Sequence, residues 1–331
     1  MTQILTKTGY FSHPDSRKHE MGPGHPECPE RIAAIEARLQ DTGLLDALVQ
    51  LEAPMADLDA LEYGHSREHV DSLCDLHERL NEEREAGGPR YAQLDPDTAM
   101  NADSWRAISR GAGAAMAATD AVMAGELNNA FCAVRPPGHH ACHDHAMGFC
   151  FINNVAVAAK YALERHGLQR VAIVDFDVHH GNGTEDIVAG DERILMVSFY
   201  QHPFYPQGGS QSGADNLVNL PVAANTRGDV IRDLIEAHWL PRLEEHRPEM
   251  IFISAGFDAH REDSLGQLGL VEADYAWITK RLMEVAQRHA KGRIVSSLEG
   301  GYNLSALGRS VEAHVRALAG GDGREKMGIH L

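Results

Sequence analysis

The sequence predicts an α/β fold built on a mainly parallel sheet with helices on both faces. Short, apolar, β-rich runs recur at 130–134, 171–176, 193–199, 250–255 and 293–298, and strands buried on both faces read as such near-continuous runs. Several runs are separated by helical patterns, the alternation that βαβ units produce. No Gly/Ser-rich or Pro-rich linker, low-complexity run or internal repeat divides the 331 residues, so a single domain over 1–331 is expected.

Taken in chain order, Pro14, Pro23, Pro26 and Pro29 prevent a continuous helix before Arg31, and residues 10–30 are expected to form a long ordered loop. Such loops in compact domains usually carry function. The stretch 78–92, beginning E-R-L-N-E-E-R-E-A-G-G-P, reads as a solvated helix end and loop. Thr226 and Asp229 have capping-box-like spacing, and Val230, Ile231, Leu234 and Ile235 share one helical face. Leu304, Leu307, Val311, Val315 and Leu318 repeat at steps of three or four, the stripe of a core-facing helix.

Composition bounds the function. Apolar residues make up 43%, enough for a sizeable core, yet no run approaches the roughly 18 apolar residues of a membrane span. Residues 1–7 lack the plan of a secretory signal. Five cysteines (Cys28, Cys74, Cys132, Cys142, Cys150) form no C-x-x-C pair, which fits a reducing cytoplasm. The 48 acidic and 30 basic residues give a net charge of −18. That charge serves solubility, or draws in cationic substrates, and it disfavours direct nucleic-acid binding by repelling phosphates.

The most informative segment is 171–183, where a strand-like run ends in D-F-D-V-H-H-G-N-G. Residues two apart on a strand share a face, so Asp175, Asp177 and His179 are expected to project together. Such clustering is costly unless a cation offsets the repulsion and desolvation. A second apolar strand, 251–258, is expected to end in a carboxylate, Asp258, and a third is followed by a rigid turn, P-P-G, with the pair His139–His140. Ligands of open α/β sheets gather outside the carboxyl ends of strands, where all three groups lie.

These segments resemble the zinc-dependent histone deacetylase family, in particular its class II branch with the bacterial acetylpolyamine amidohydrolases. The resemblance rests on G-H-P-E-C-P-E-R at 24–31, R-P-P-G-H-H-A at 135–141, G-F-C-F-I-N-N at 148–154, D-F-D-V-H-H-G-N-G-T at 175–184, S-A-G-F-D-A-H at 254–260 and L-E-G-G-Y-N-L at 298–304. It covers about residues 20–310. It implies the arginase-deacetylase fold, with a central sheet of eight parallel strands flanked by helices.

It also implies roles. Asp177, His179 and Asp258 would bind one catalytic zinc, leaving positions open for water and a substrate carbonyl. His140 would act as general base and then general acid, with His139 as its electrostatic partner. Asp175 would orient His139, and Asn182, the class II residue, would stand behind His140 as a neutral partner. Tyr302 would stabilise the oxyanion. Gly148, Phe149 and Tyr205 would line the substrate channel, the two aromatics as parallel rings gripping an alkyl chain. Leu265 matches a rim position where a polyamine-selective relative carries Glu, so another acid (Glu20, Glu27, Asp95 or Asp97) would have to bind a distal amine. Arg31 resembles an inner-cavity arginine through which acetate leaves; its other reading is a surface arginine at a helix start. Backbone carbonyls around Asp175, Asp177 and His179, together with Ser198, match a structural potassium site.

The expected activity is hydrolysis of the acetyl amide of an N-acetylated cationic amine, such as acetylputrescine or acetylcadaverine, or of acetyl-lysine in proteins. A binuclear manganese ureohydrolase of the same fold and a non-catalytic binder of acetylated ligands are the rival readings. Homo-oligomerisation is compatible with the resemblance, with 10–30 and 78–98 packing across a dimer interface to narrow the channel.

Overall fold

The computed structural model describes residues 6–207 and 212–320. The first five residues of the segment read for a secretory signal lie outside them. The strands are β1 (Thr8–Ser12), β2 (Val49–Glu52), β3 (Tyr91–Asp95), β4 (Thr98–Asn101), β5 (Asn129–Cys132), β6 (Val171–Asp175), β7 (Ile194–Gln201), β8 (Leu217–Val222), β9 (Ile251–Ala255) and β10 (Ile294–Leu298). Eight form one sheet in the order β2-β1-β5-β10-β9-β6-β7-β8, every pairing parallel. The antiparallel hairpin β3-β4 stands apart. This is the expected eight-stranded parallel α/β domain.

The helices are α1 (Glu30–Asp41), α2 (Leu58–Leu61), α3 (Arg67–Glu85), α4 (Ser104–Met123), α5 (Asn154–His166), α6 (Asn182–Val188), α7 (Gly228–Leu234), α8 (Leu240–His246), α9 (Glu272–His289) and α10 (Leu304–Leu318). Strand β6 shows why the sheet needs cover on both faces. Ala172 and Val174 join the core beneath α1, α9 and α10, while Val171 and Ile173 join the core beneath α4 and α5. A third apolar cluster, including Leu73, Met100, Trp105 and Phe151, seats α3 and the hairpin against the body.

The five sequence-read strands are all present. Strands β1, β2 and β8 of the sheet, and β3 and β4 of the hairpin, have no counterpart among those runs. Strand β2 is an edge with every residue exposed, and β8, the other edge, contains Pro221. Proline lacks an N–H for the ladder and is tolerated at edges, so neither strand carries the buried apolar signature. The loop expected over 10–30 is shorter, because its first residues belong to β1 and Pro14–Arg17 form a 3₁₀ turn.

Three helix readings need correction. Thr226 does not cap α7: its hydroxyl donates to the Ala223 carbonyl at 2.7 Å, and Arg227 occupies the cap position without a side-chain bond. Val230 is 46% exposed while Ile231, Ile235 and Trp239 are buried, the stripe continuing through a π-helical turn over Ile235–Trp239. Leu304 is 37% exposed as the first residue of α10, whereas Leu307, Val311, Val315 and Leu318 are fully buried.

Candidate active site and metal centre

The carboxyl ends of four adjacent central strands, β5, β10, β9 and β6, meet at one place. Strand β6 stops at Asp175, so the expected single strand face does not extend through Asp177 and His179. The Asp175 carboxylate turns towards His139 instead, while Asp177 and His179 converge with Asp258. One donor atom from each of these three lies within 4.8 Å of the others, and no other group of three such residues is found among the described residues.

Each carboxylate in this trio is divided between the backbone and the centre. Asp177 Oδ2 accepts from Gly300 N at 2.9 Å and Asp258 Oδ1 from Val178 N at 2.9 Å. Asp177 Oδ1 and Asp258 Oδ2 each lie 3.1 Å from the same His179 Nδ1. A Cβ on Gly256 would stand 2.0 Å from Asp177 Oδ2, and one on Gly300 2.1 Å from Asp258 Oδ2. Only glycine allows this close approach.

Two buried carboxylates without a lysine or arginine ion pair among the described residues need a positive charge. Burial, then the Asp177 charge, pushes Asp258 up to about 7. Burial would lower His179, but its bonds to Asp177 and Asp258 raise it to about 10. One imidazole nitrogen and two carboxylate oxygens fit a divalent cation such as zinc, with coordination positions left open.

The paired histidines differ in their partners. His139 Nδ1 donates to Asp175 Oδ2 at 2.9 Å, and its Nε2 lies 3.8 Å from Asp177 Oδ1. Burial opposes the charged ring, yet Asp177 and Asp175 raise His139 well above the ordinary histidine value. His140 Nδ1 lies 2.7 Å from Asn182 Oδ1. The Asn182 amide nitrogen points to Met147 Sδ at 3.3 Å and Cys142 Sγ at 3.4 Å, so Oδ1 is the acceptor and His140 carries its proton on Nδ1. Burial, then the charges of His139 and His179, hold His140 well below the ordinary value. Both effects favour the neutral ring, in which Nε2 is the lone-pair nitrogen.

Tyr302 follows Gly300 and Gly301, the latter at φ +122°, and precedes Asn303, the cap of α10. Asp263 Oδ2 accepts from the backbone N–H groups of both Tyr302 and Asn303, at 2.7 and 3.0 Å. The Arg31 guanidinium lies 5.0 Å from the Tyr302 ring centroid. Arg31 is fully buried, donating to Gly301 O at 2.7 Å and to Glu27 Oε1 at 2.9 Å, so its reading as a surface residue is excluded.

Above the trio stand aromatic rings. Phe149 (φ +68°) follows Gly148 (φ +56°), where a Cβ would lie 2.5 Å from the His140 ring. Phe149 meets Tyr302 edge-on at 6.0 Å, and Tyr205 meets His140 edge-on at 5.2 Å. Hairpin β3-β4 braces this lip: Gly148 N donates to Asp95 Oδ2 at 3.3 Å and Phe149 N to Thr98 Oγ1 at 2.9 Å.

The histone deacetylase domain model matches residues 25–318. The chain belongs to the histone deacetylase family. It is 36% identical over 328 residues to a probable deacetylase of Archaeoglobus fulgidus, covering 95% of this chain and 87% of that one. It is 37% identical over 289 residues to a histone deacetylase-like amidohydrolase of Pseudomonas aeruginosa, covering 85% and 73%. Among solved structures, the HDA15 HD domain superposes with a TM-score of 0.85 at 33% identity, covering 95% of this chain and 90% of that one. The family's fold is therefore this chain's fold, and deacetylase hydrolysis is its general activity.

Within this family frame, several residues sit differently from expectation. Glu27 is no rim acid. It is fully buried and accepts from Arg135 Nε at 2.5 Å and Nη2 at 2.6 Å as well as from Arg31. Glu20 is engaged by Arg90 and by the Tyr91 hydroxyl. Leu265 is half-buried, its N–H bonded to Asp263 Oδ1 at 2.9 Å. Ser198 pairs with Asp175 across β7 and β6, and its hydroxyl donates to Asn219 Oδ1 at 2.6 Å. Sequence reasoning missed Phe204, stacked on the His179 ring at 5.4 Å and 15°, and Glu299, whose carboxylate lies under the His139 backbone. The L-E-G-G-Y string contained Glu299 but gave no hint of its partner, which is 160 residues away. Among the described residues no helix is long and apolar enough to cross a membrane.

Proposed function

We propose that this chain is a zinc-dependent amidohydrolase that removes acetyl groups from amides on flexible cationic chains, small acetylated amines ahead of acetyl-lysine. The observation that carries it is the juxtaposition of the Asp177–His179–Asp258 trio with two histidines of opposite partners, His140 against the Asn182 amide oxygen and His139 against the Asp175 carboxylate. A zinc ion held by those three residues would supply Lewis acidity to the acetyl carbonyl and acidity to a water. His140 Nε2 then takes a proton from the attacking water, and the same imidazolium returns one to the departing amine. His139, held protonated by Asp175, lends positive charge to the developing oxyanion. Tyr302 donates its hydroxyl to that oxygen. Gly148, Phe149 and Tyr205 enclose the methylene tether, and Asp175, Asp177, His179 and Ser198 belong to the potassium site of the same reading.

The lip favours a cationic substrate. Asp95 accepts from Gly148 N at 3.3 Å and from Asp97 N at 2.9 Å, which places two acids beside the channel-lining turn. The five free cysteines support a reducing, cytoplasmic setting. The test is acetate release by the zinc-loaded chain from acetylputrescine, acetylcadaverine and an acetyl-lysine peptide, before and after chelation. Hydrolysis that falls on chelation and returns with zinc, with higher kcat/KM for the small amines, is expected. Preference for the peptide would make it a protein deacetylase, and no hydrolysis of any of them would refute the reading.

A further inference from the structure

The segment 136–139 reads Pro-Pro-Gly-His, so only Gly138 and His139 carry backbone N–H groups. Both donate to one atom, Glu299 Oε2, at 2.6 and 3.0 Å. The other oxygen, Oε1, accepts from the Ser254 hydroxyl at 3.0 Å. Glu299 is fully buried, its backbone N–H bonded to Ala255 O at 2.9 Å and its carbonyl to Arg31. One side chain thus ties the turn bearing the paired histidines to the ends of β10 and of β9, the strand that leads to Asp258.

A carboxylate this deep is costly unless its hydrogen bonds are specific. The Pro-Pro turn has no other N–H with which to set its height over the sheet. We propose that Glu299 is a positioning residue for the deacetylation reaction: its carboxylate fixes where the His139–His140 backbone stands relative to the metal-binding trio. It touches no substrate and acts through the two histidines. The inference rests on the amidohydrolase reading above.

Two variants separate place from charge. In Glu299→Gln the amide oxygen still accepts from Gly138 and His139, and the amide nitrogen donates to the Ser254 hydroxyl, which reverses its role. In Glu299→Asp the carboxyl group remains, but the acceptor withdraws by one methylene. Positioning predicts that Gln stays within about threefold of the wild-type kcat. It predicts that Asp loses about 10²-fold in kcat with KM changed less than about threefold, as expected for an ångström-scale displacement of a catalytic group. Asp performing as well as Gln, or Gln losing as much as Asp, would overturn it. Side-chain 15N NMR of His139 and His140 reports without turnover: Gln should leave the imidazole shifts in place and Asp should move them. Unmoved shifts in Asp would overturn the proposal even if the wild type hydrolysed no amide, the result that refutes the functional reading instead.

Discussion

His140 Nδ1 stands 2.7 Å from the amide oxygen of Asn182, whereas the neighbouring His139 Nδ1 stands 2.9 Å from the carboxylate of Asp175. Two adjacent imidazoles therefore have a neutral and an anionic partner, and their proton affinities are driven in opposite directions. Such a divided pair can hold one proton while accepting another.

Asn182→Asp should erase that division. A carboxylate behind His140 favours its charged form, so the acid limb of the kcat/KM profile should move to higher pH by about 1 unit or more. A pH–rate profile of the two proteins measures this, and an unmoved limb would show that His140 is not the titrating base.

Tyr302→Phe removes one hydroxyl and leaves the ring packed against Phe149 and Arg31. Loss of one oxyanion donor should lower kcat by about 10²- to 10³-fold with little change in KM. Steady-state acetate release decides it; unchanged kcat would remove Tyr302 from the mechanism.

Asp97 is pushed up to about 6 by burial, then by its hydrogen bond to and the charge of Asp95. A raised carboxyl is neutral below that pH and anionic above it. KM for an acetylated diamine should therefore fall as pH rises through about 6. Asp97→Asn should flatten this trend and raise KM about fivefold at neutral pH, the worth of roughly 1 kcal/mol for one exposed ion pair. A neutral acetylated alkylamine, run in parallel, should show neither effect.

Glu27 is held down at about 2 against burial by the charges of Arg135 and Arg31. A carboxylate depressed in the folded state from 4.5 contributes stability that is present in full above about pH 4.5 and lost as pH falls towards 2. The contribution is on the order of 3 kcal/mol. Glu27→Gln leaves two buried guanidiniums short of an anion and should lower the stability measured by urea unfolding at pH 7 by about 3–5 kcal/mol. The difference should shrink in the acid range.

The core strands and the cluster of candidate site residues were legible because each leaves a local trace, and the family motif then singled out Asp177, His179 and Asp258 as the candidate ligands. A strand buried on both faces must be apolar along its length, and a carboxylate or imidazole just past its end has few uses other than a site. Exposed β2 and proline-containing β8 have no such trace. Val230 was misassigned because one apolar residue within a helical pattern does not show where the buried arc ends.

By itself the sequence determined the parallel α/β architecture and the family, and it named the carboxylates and histidines that are candidates for the site. Only the tertiary structure decided that Arg31 is buried rather than at the surface, that Glu27 is buried between arginines instead of lining the rim, and that Glu299 bonds the Pro-Pro-Gly turn. The reason is physical: periodicity records whether a residue is buried, whereas the atoms it meets there depend on which strands lie side by side. Strand order brings β5, β10, β9 and β6 together from distant parts of the chain, and no local pattern encodes that order.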